Sequence, residues 1–341
     1  MNFKKFSLFV IIPFLTIVGL IGCSSSSSSE GEGEKKTFKI GHIRPDGTGT
    51  DEDVKWFAEK IAEKTDNNVD FEVYPASQLG DYTVVQERVS MGDIEMQLAP
   101  VGPSLNPNMG LTYTPFLVTN WEDALEYYGP DSEIAKMVDE MLQEQNIKLL
   151  ATYPKYFGGI ALKEKPENPA DLSKKDIKVR VPATKAFELA AKGLGYTPTP
   201  LPFAEAFTSM QTGIVDGVVG SGAEGYYADF RDLTKYYLPI NTHFEMWYLY
   251  ISNDTWEKLS AEEQEIFQTT AKELAEARFE AAPAETADFE QKLQDSGIEI
   301  IEYTDEELDT IAKEIRKNIW PELEKEYGKE LFERVTKGID Y

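Results

Sequence analysis

The sequence predicts an α/β protein in which one long helix bridges two lobes. Strand-like segments alternate with helix-like segments in two successive halves of the chain, a pattern typical of mainly parallel sheets covered by helices. Helical spacing then runs without a turn signal from residue 260 to residue 296. At about 1.5 Å per residue such a helix is ~50 Å long, enough to lie across both lobes. We therefore expect a hinged clamp rather than two independent enzymatic domains.

Apolar periodicity places the elements of each half. The first half predicts strand 37–43, helix 54–64, strand 69–74, helix 82–91, a short apolar stretch at 94–101 and a long amphipathic segment at 124–146. The second half predicts strands 148–153 and 177–181, helix 183–194, strand 197–201, helix 203–212 and strand 214–219. Each half therefore predicts one α/β lobe.

The last third of the chain predicts helices with recognisable ends. Ser260 and Glu263 have the spacing of a capping box at the start of the long helix. Pro283 lies inside that helix and is expected to kink it. A second capped helix at 304–319 should end before Trp-Pro, and a last helix is expected within 323–335.

The amino terminus has the layout of an export signal. Lys4 and Lys5 form a short basic region, and residues 7–21 form an interrupted apolar run. That run is too short to span a membrane, which takes about 20 apolar residues. We expect residues 1–22 to be removed and the remaining chain to lie outside the cytoplasmic membrane.

Cys23 is the only cysteine and is expected to carry a lipid. Residues 20–23 (Leu-Ile-Gly-Cys) resemble the bacterial lipobox, although Ile21 is bulkier than the residue usual there. The serines that follow suit a flexible tether, which we place at residues 23–36. The alternative is an ordinary cleaved signal beside a chance cysteine.

The charge of the chain excludes one class of partner. Without residues 1–22 the chain loses two lysines and carries 60 acidic and 32 basic residues, a formal charge of −28. Nucleic acid is therefore not an expected partner, because phosphate binding depends on a basic surface. A local arginine can still bind a small anion, since salt screens exposed charges beyond roughly 8–10 Å.

Four motifs occur in order along the chain. They are residues 75–80 (Pro-Ala-Ser-Gln-Leu-Gly), 176–182 (Asp-Ile-Lys-Val-Arg-Val-Pro), 202–217 (Pro-Phe-Ala-Glu-Ala-Phe followed by Gln-Thr-Gly-Ile-Val-Asp-Gly) and 242–259 (Thr-His followed by Ile-Ser-Asn). In order and spacing the set resembles the solute-binding proteins of tripartite ATP-independent periplasmic (TRAP) transporters, in the dicarboxylate-receptor-like family. The resemblance covers essentially the whole chain after the tether.

This resemblance implies a two-lobed periplasmic-binding-protein (clamshell) fold that closes over a small organic acid. It implies one lobe of residues 37–157 and 246–285 and another of residues 158–245 and 286–341. It also implies delivery of the ligand to membrane permease subunits driven by an ion gradient. We expect a monomer without cofactor or resident metal, and a metal ion that bridges the ligand stays an alternative. A receptor of the same fold that presents its ligand to a sensor kinase is the alternative within this class.

The sequence departs from the family at two places. Many members place a second arginine 20 residues before the motif arginine, where this chain has Ile160. Many follow Val-Asp-Gly with Gln-Glu-Asn, where this chain has Val-Val-Gly-Ser-Gly at 218–222. The usual clamp for dicarboxylates or sugar acids is therefore altered here, and Glu224, Tyr226 and Tyr227 are candidates for the missing contacts.

Arg180 is the main candidate for ligand recognition. It lies on strand 177–181, which Pro182 ends, and ligands of open α/β sheets bind beyond the carboxyl ends of strands. A guanidinium is planar and always charged, so it can hold a carboxylate by two parallel hydrogen bonds. We expect Arg180 to lie in an open crevice, and the alternative is a surface salt bridge.

Further candidates for ligand contact follow from position and family motif. Phe203 falls where members of the family stack a ring on the ligand, and Tyr82 follows the Gln-Leu-Gly motif. The other candidates are His42, Arg44, Tyr226, Trp247 and Glu224. Each has a structural alternative in core packing, a satisfied hydrogen bond or a solvated charge.

The sequence offers only weak support for an enzyme. Residues 220–225 match Gly-x-Gly-x-x-Gly after a strand, which is the dinucleotide fingerprint of an oxidoreductase. That fingerprint normally lies in the first strand-helix unit, and here it does not. One cysteine and two separated histidines offer neither a zinc motif nor an obvious catalytic triad.

Overall fold

The computed structural model describes residues 35–339. The predicted export signal, Cys23 and most of the predicted tether lie outside the described residues. Within them, no helix combines the length and the apolar character that crossing a membrane requires.

Two separate sheets form the framework. The strands are β1 Lys36–His42, β2 Val69–Tyr74, β3 Met96–Ala99, β4 Ile147–Phe157, β5 Gly159–Leu162, β6 Lys178–Val181, β7 Thr197–Pro200, β8 Gly217–Ser221, β9 Tyr236–Leu238, β10 Phe244–Ser252 and β11 Glu299–Ile300. The first sheet has the order β2-β1-β3-β10-β4, and the second has the order β11-β9-β5-β8-β6-β7. In the first sheet β2, β1 and β3 are parallel, and β10 is antiparallel to both of its neighbours. In the second sheet β8, β6 and β7 are parallel, and β5 is antiparallel to both of its neighbours.

Helices cover the faces of both sheets. They are α1 Gly49–Lys64, α2 Tyr82–Ser90, α3 Trp121–Tyr128, α4 Glu133–Gln143, α5 Lys185–Gly193, α6 Phe203–Gln211, α7 Ala223–Gly225, α8 Asn253–Trp256, α9 Ala261–Asp295, α10 Asp305–Tyr327 and α11 Lys329–Val335. A 3₁₀ helix spans Pro107–Tyr113, and a π-helical turn spans Tyr226–Phe230. The predicted α/β class with two lobes is confirmed.

The chain crosses between the sheets at two adjacent points. Phe157 ends β4 and Gly159 begins β5, so Gly158 alone carries the first crossing. The return crossing is hydrogen-bonded to it, since the Gly158 amide donates to the His243 carbonyl at 2.8 Å and the Thr242 amide donates to the Gly158 carbonyl at 2.9 Å. Two short, adjacent connections between two sheets are the geometry expected of a hinge.

Helix α9 supplies a third connection. Its capping box is formed as predicted, with the Glu263 amide donating to the Ser260 hydroxyl at 3.2 Å and the Ser260 amide donating to the Glu263 carboxylate at 2.6 Å. The helix packs on α1 and β4 of the first sheet and on α7 and β11 of the second. The predicted long bridging helix is therefore confirmed, and Pro283 lies inside it.

Three predicted helix boundaries are wrong. Helix α1 begins at Gly49, five residues before the predicted start. The single segment predicted at 124–146 is two helices, α3 and α4, because Gly129 and Pro130 interrupt it. Conversely, α10 does not end before Pro321 but continues to Tyr327. The Trp320 indole donates to the Pro115 carbonyl at 2.9 Å inside the core, and this packing outweighs the preference of proline for a helix end.

Candidate ligand-binding site

A small cavity of about 20 Å³ lies between the two sheets. From the first sheet and its connections it is lined by Ile43, Tyr82, Pro100, Tyr156, Glu245 and Trp247. From the second it is lined by Arg180, Pro182, Phe203, Gly220 and Ser221. The carboxyl ends of parallel strands meet here, which is where open α/β sheets bind their ligands.

Arg180 reaches this cavity as a buried cation. It is 1% exposed, and its Nε–H donates to the Leu201 carbonyl at 2.9 Å. The guanidinium lies 5.7 Å from the centroid of the Phe203 ring. Among residues 35–339 it has no ion pair with a carboxylate, and burial lowers the pKa of Arg180. The expectation of an exposed arginine in an open crevice is therefore corrected, and the guanidinium has hydrogen-bonding capacity directed at the cavity.

A buried network of ion pairs joins the lobes beside the cavity. Arg44, which follows β1, donates to the Asp229 carboxylate at 2.9 Å and to the Tyr156 hydroxyl at 3.2 Å. Lys155 on β4 pairs with Glu224 on α7 at 2.5 Å. Both pairs connect the first sheet to the second. Arg44 and Glu224, which we predicted as ligand contacts, have protein partners here and do not line the cavity.

Glu224 is ionised within this network. Burial alone would raise the pKa of Glu224, but the charges of Lys155 and Arg44 outweigh it and lower this pKa to about 2. Burial lowers the pKa of Lys155, an effect that the Glu224 carboxylate opposes. Lys155 also donates to the Thr50 hydroxyl at 2.8 Å, which fixes its position. The pair is therefore charged and held in one geometry.

Glu245 is a second charged residue that lines the cavity. It lies on β10 and is 4% exposed. The Trp247 indole N–H donates to one carboxylate oxygen at 2.9 Å, and Nε2 of His243 lies 3.1 Å from the other. Trp247, predicted as a ligand contact, also lines the cavity. Its indole nitrogen is used to hold Glu245, so its ring is the part that faces the cavity space.

The remaining candidates divide into two groups. Tyr82 and Phe203 line the cavity. His42 instead lies behind it, with Nε2 3.1 Å from the Asp51 carboxylate, and burial lowers the pKa of His42. The Tyr226 hydroxyl lies 2.7 Å from the Gly159 carbonyl and 2.9 Å from the Val218 carbonyl, so it braces the second sheet.

The three glycines of the Gly-x-Gly-x-x-Gly match lie against side chains that shape the site. A Cβ atom at Gly220 would lie 2.7 Å from the Pro182 ring, and Gly220 has φ of +97°, which disfavours other residues. A Cβ at Gly222 would lie 2.3 Å from the Tyr156 ring, and one at Gly225 would lie 2.6 Å from the Arg44 guanidinium. Close packing therefore accounts for these glycines without a bound phosphate.

The family model of bacterial extracellular solute-binding proteins, family 7, matches residues 40–326. The chain belongs to this family. Family 7 comprises transport receptors of the TRAP type, so the predicted recognition and the predicted absence of enzymatic activity are confirmed, and the oxidoreductase reading does not hold.

Individual relatives agree with this assignment. This chain is 28% identical over 263 residues to a solute-binding protein from Roseobacter denitrificans. The match covers 75% of this chain and 78% of the relative. The chain is also 25% identical over 296 residues to the sialic acid-binding periplasmic protein SiaP of Vibrio cholerae, covering 83% and 89%.

Solved structures show the same fold. A TRAP periplasmic solute-binding protein from Sulfurospirillum deleyianum, determined with bound succinate, superposes with a TM-score of 0.78 at 22% identity. The match covers 89% of this chain and 99% of that chain. The predicted clamshell fold is confirmed by this likeness.

Sequence reasoning missed several residues of this solute-binding protein's site. Glu245 is the single charge of β10, and Lys155 is a buried charge in the largely apolar strand β4, whose other charge, Lys148, lies near its start; a charge in a buried strand is a usable signal. Asp229 and Ser221 carried no comparable signal. The Ser221 hydroxyl lines the cavity, is fully buried and has no hydrogen-bond partner in the described part of the chain.

A metal site does not emerge from the geometry. Among residues 35–339, no group of three or more histidine, cysteine, aspartate or glutamate side chains is arranged to hold a metal ion.

Proposed function

We propose that this chain is a lipid-anchored receptor that binds a small organic acid between its lobes and delivers it to a TRAP-type membrane permease. The observation that carries the proposal is Arg180, a buried guanidinium at the cavity without a carboxylate partner in the described chain. A buried charge is costly unless it is paired. A ligand carboxylate would supply that pairing through charge-assisted hydrogen bonds.

The site can enclose its ligand by closure of the lobes. The cavity has walls from both sheets, and the Arg44–Asp229 and Lys155–Glu224 pairs form only when the lobes meet. The adjacent crossings at Gly158 and Thr242 allow this movement without rearranging either sheet. We propose that Phe203 stacks on the ligand while Tyr82 and Ser221 offer hydroxyl groups to it.

The ligands of relatives support an acid. SiaP is named for sialic acid, and the protein from Sulfurospirillum deleyianum was solved with succinate. Both ligands carry a carboxylate, the group that the Arg180 guanidinium suits. Delivery to a permease follows from the family's role in transport.

We predict that a small organic acid raises the thermal stability of the protein. Thermal-shift screening at fixed salt against carboxylates, sulfonates and aromatic acids should find at least one stabilising ligand. At 100 times its dissociation constant the ligand should add about 2.7 kcal/mol to the free energy of unfolding. Stabilisation by nucleotides or polymers alone would contradict the receptor proposal.

We also predict that Cys23 carries a lipid in the producing cell. Metabolic labelling with a fatty-acid analogue should mark the wild-type protein, and Cys23→Ala should be unlabelled and released to the soluble fraction. Ser24→Ala, beside it in the tether, is the matched control and should be labelled. Equal labelling of the wild type and Cys23→Ala would remove the anchor from the proposal.

A further inference from the structure

The cavity is lined by two unlike charges that do not pair with each other, Arg180 and Glu245. Close to it, Arg44 pairs with Asp229 and Lys155 pairs with Glu224. Arg180 and Glu245 line the cavity and form no ion pair with each other. An acid that complements only Arg180 leaves the Glu245 carboxylate with the His243 imidazole, 3.1 Å away, as its neighbour and brings no second positive charge of its own to the cavity.

The surroundings of Glu245 leave it an acceptor for a ligand. Its hydrogen bonds come from the Trp247 indole and from His243, which hold the carboxylate in place. The Thr242 hydroxyl lies 2.8 Å from Nδ1 of His243 and 3.3 Å from the Gly158 carbonyl, so it positions the imidazole beside Glu245. A carboxylate has about four acceptor positions, and two donors leave part of this capacity free.

A second, independent feature is the aromatic lining. Six aromatic residues line the same cavity: Tyr82, Tyr113, Tyr156, Phe187, Phe203 and Trp247. The faces of aromatic rings attract cations, and desolvated sites strengthen this attraction. Arg44 already uses it, with its guanidinium 5.2 Å from the Trp247 ring. Aromatic rings beside a fixed carboxylate are the chemistry that recognises an ammonium group.

We propose that the ligand is a zwitterion, with its acid group at Arg180 and a cationic nitrogen at Glu245. This inference rests on the proposed function, because it refines the class of acid bound. A dicarboxylate would bring its second negative charge towards Glu245, and like charges in a poorly hydrated site repel strongly. Glu245 therefore acts as a specificity determinant that selects amino-substituted acids and rejects dicarboxylates.

Titration calorimetry with matched probes tests this inference. For each acid skeleton the wild type is titrated with the unsubstituted acid, the hydroxy acid, the amino acid and the dicarboxylate, for example butyrate, γ-hydroxybutyrate, γ-aminobutyrate and succinate. Skeletons of increasing length, together with α-amino acids and their α-hydroxy counterparts, cover different separations of the two charges. The best amino compound should bind at least about tenfold more tightly than its matched partners.

The variant Glu245→Gln keeps the shape and the Trp247 contact but removes the charge. It should lose about tenfold or more in affinity for the amino compound, while its affinity for the unsubstituted acid should stay level or rise. Glu63→Gln, an exposed carboxylate on α1, is the matched control and should behave as wild type.

The outcomes are distinguishable. If unsubstituted acids or dicarboxylates bind the wild type as tightly as their amino counterparts, the zwitterion inference is wrong and the organic-acid receptor stands. If no acid of either kind binds, the proposed function falls together with the inference. The comparison on the wild type decides the matter even if Glu245→Gln does not fold.

Discussion

Arg180→Ala is expected to weaken binding of the strongest acid from the thermal-shift screen by about a hundredfold or more. Charge-assisted hydrogen bonds contribute about 1.5–3 kcal/mol each, and 1.4 kcal/mol corresponds to about tenfold in affinity. Arg180→Lys keeps the charge but loses the planar fork, so it should cost at least about tenfold. Titration calorimetry on the three proteins measures both effects.

The control for this series is Arg231→Ala, which removes a largely exposed arginine from the same lobe and should leave affinity unchanged. The free energy of unfolding without ligand should change by only about 1 kcal/mol in Arg180→Ala, because the loss of its hydrogen bonds to the Leu201 and Val219 carbonyls is offset by the removal of a desolvated charge. Unchanged affinity in this variant would show that the ligand is held by hydroxyl and aromatic groups rather than by charge.

Glu224→Gln is expected to lower the affinity for the same ligand by at least about a hundredfold, without contact between Glu224 and the ligand. Removing one partner of a buried ion pair costs about 3–5 kcal/mol, because the other charge stays buried and unpaired. Here that charge is Lys155, which faces Glu224 across the two lobes. The cost should therefore fall on closure rather than on folding, and small-angle scattering with ligand should show a more open particle.

A double variant isolates the pair. Adding Lys155→Met to Glu224→Gln removes the unpaired cation and should restore part of the lost affinity, since replacing a whole buried pair is often near neutral. Glu63→Gln again serves as the exposed control. If Glu224→Gln and the double variant both bind like the wild type, the pair plays no part in closure.

Acid titration gives an independent readout of this pair. The pKa of Glu224 is lowered from 4.5 to about 2 in the closed protein, so its contribution to stability is complete above about pH 4.5 and is lost as the pH falls towards 2. The wild type should lose stability over this window more steeply than Glu224→Gln.

The sequence predicts much of the fold because local signals, such as capping residues and apolar periodicity, indicate many of the strands and helices. Ser260 and Glu263 predicted the start of α9, and alternating apolar residues predicted β2 with its bounds. The end of α10 could not be predicted this way. Pro321 is a local stop signal, whereas the buried position of Trp320 depends on Pro115, far away in the sequence.

The same distinction between local signals and distant contacts applies to the site. The position of Arg180 at the cavity could be predicted because a motif and the end of a strand both point to it. The partners of Glu224 and Arg44 could not, because Lys155 and Asp229 lie on the opposite lobe and become neighbours only through the tertiary fold. Glu245 shows the intermediate case, in which a lone carboxylate in an apolar strand signals a role but not which role.

Gly222 and Gly225 lie where any larger residue would keep the two lobes apart. Both belong to the second lobe, and the groups that a Cβ would strike, the Tyr156 ring and the Arg44 guanidinium, belong to the first. The gap between the lobes at these points is thus narrower than a methyl group. An alanine there would leave each lobe intact and act as a wedge between them, giving a receptor that is made and exported normally but never shuts. We therefore expect a substitution at these two positions to impair closure, which a survey of expression or solubility would not detect.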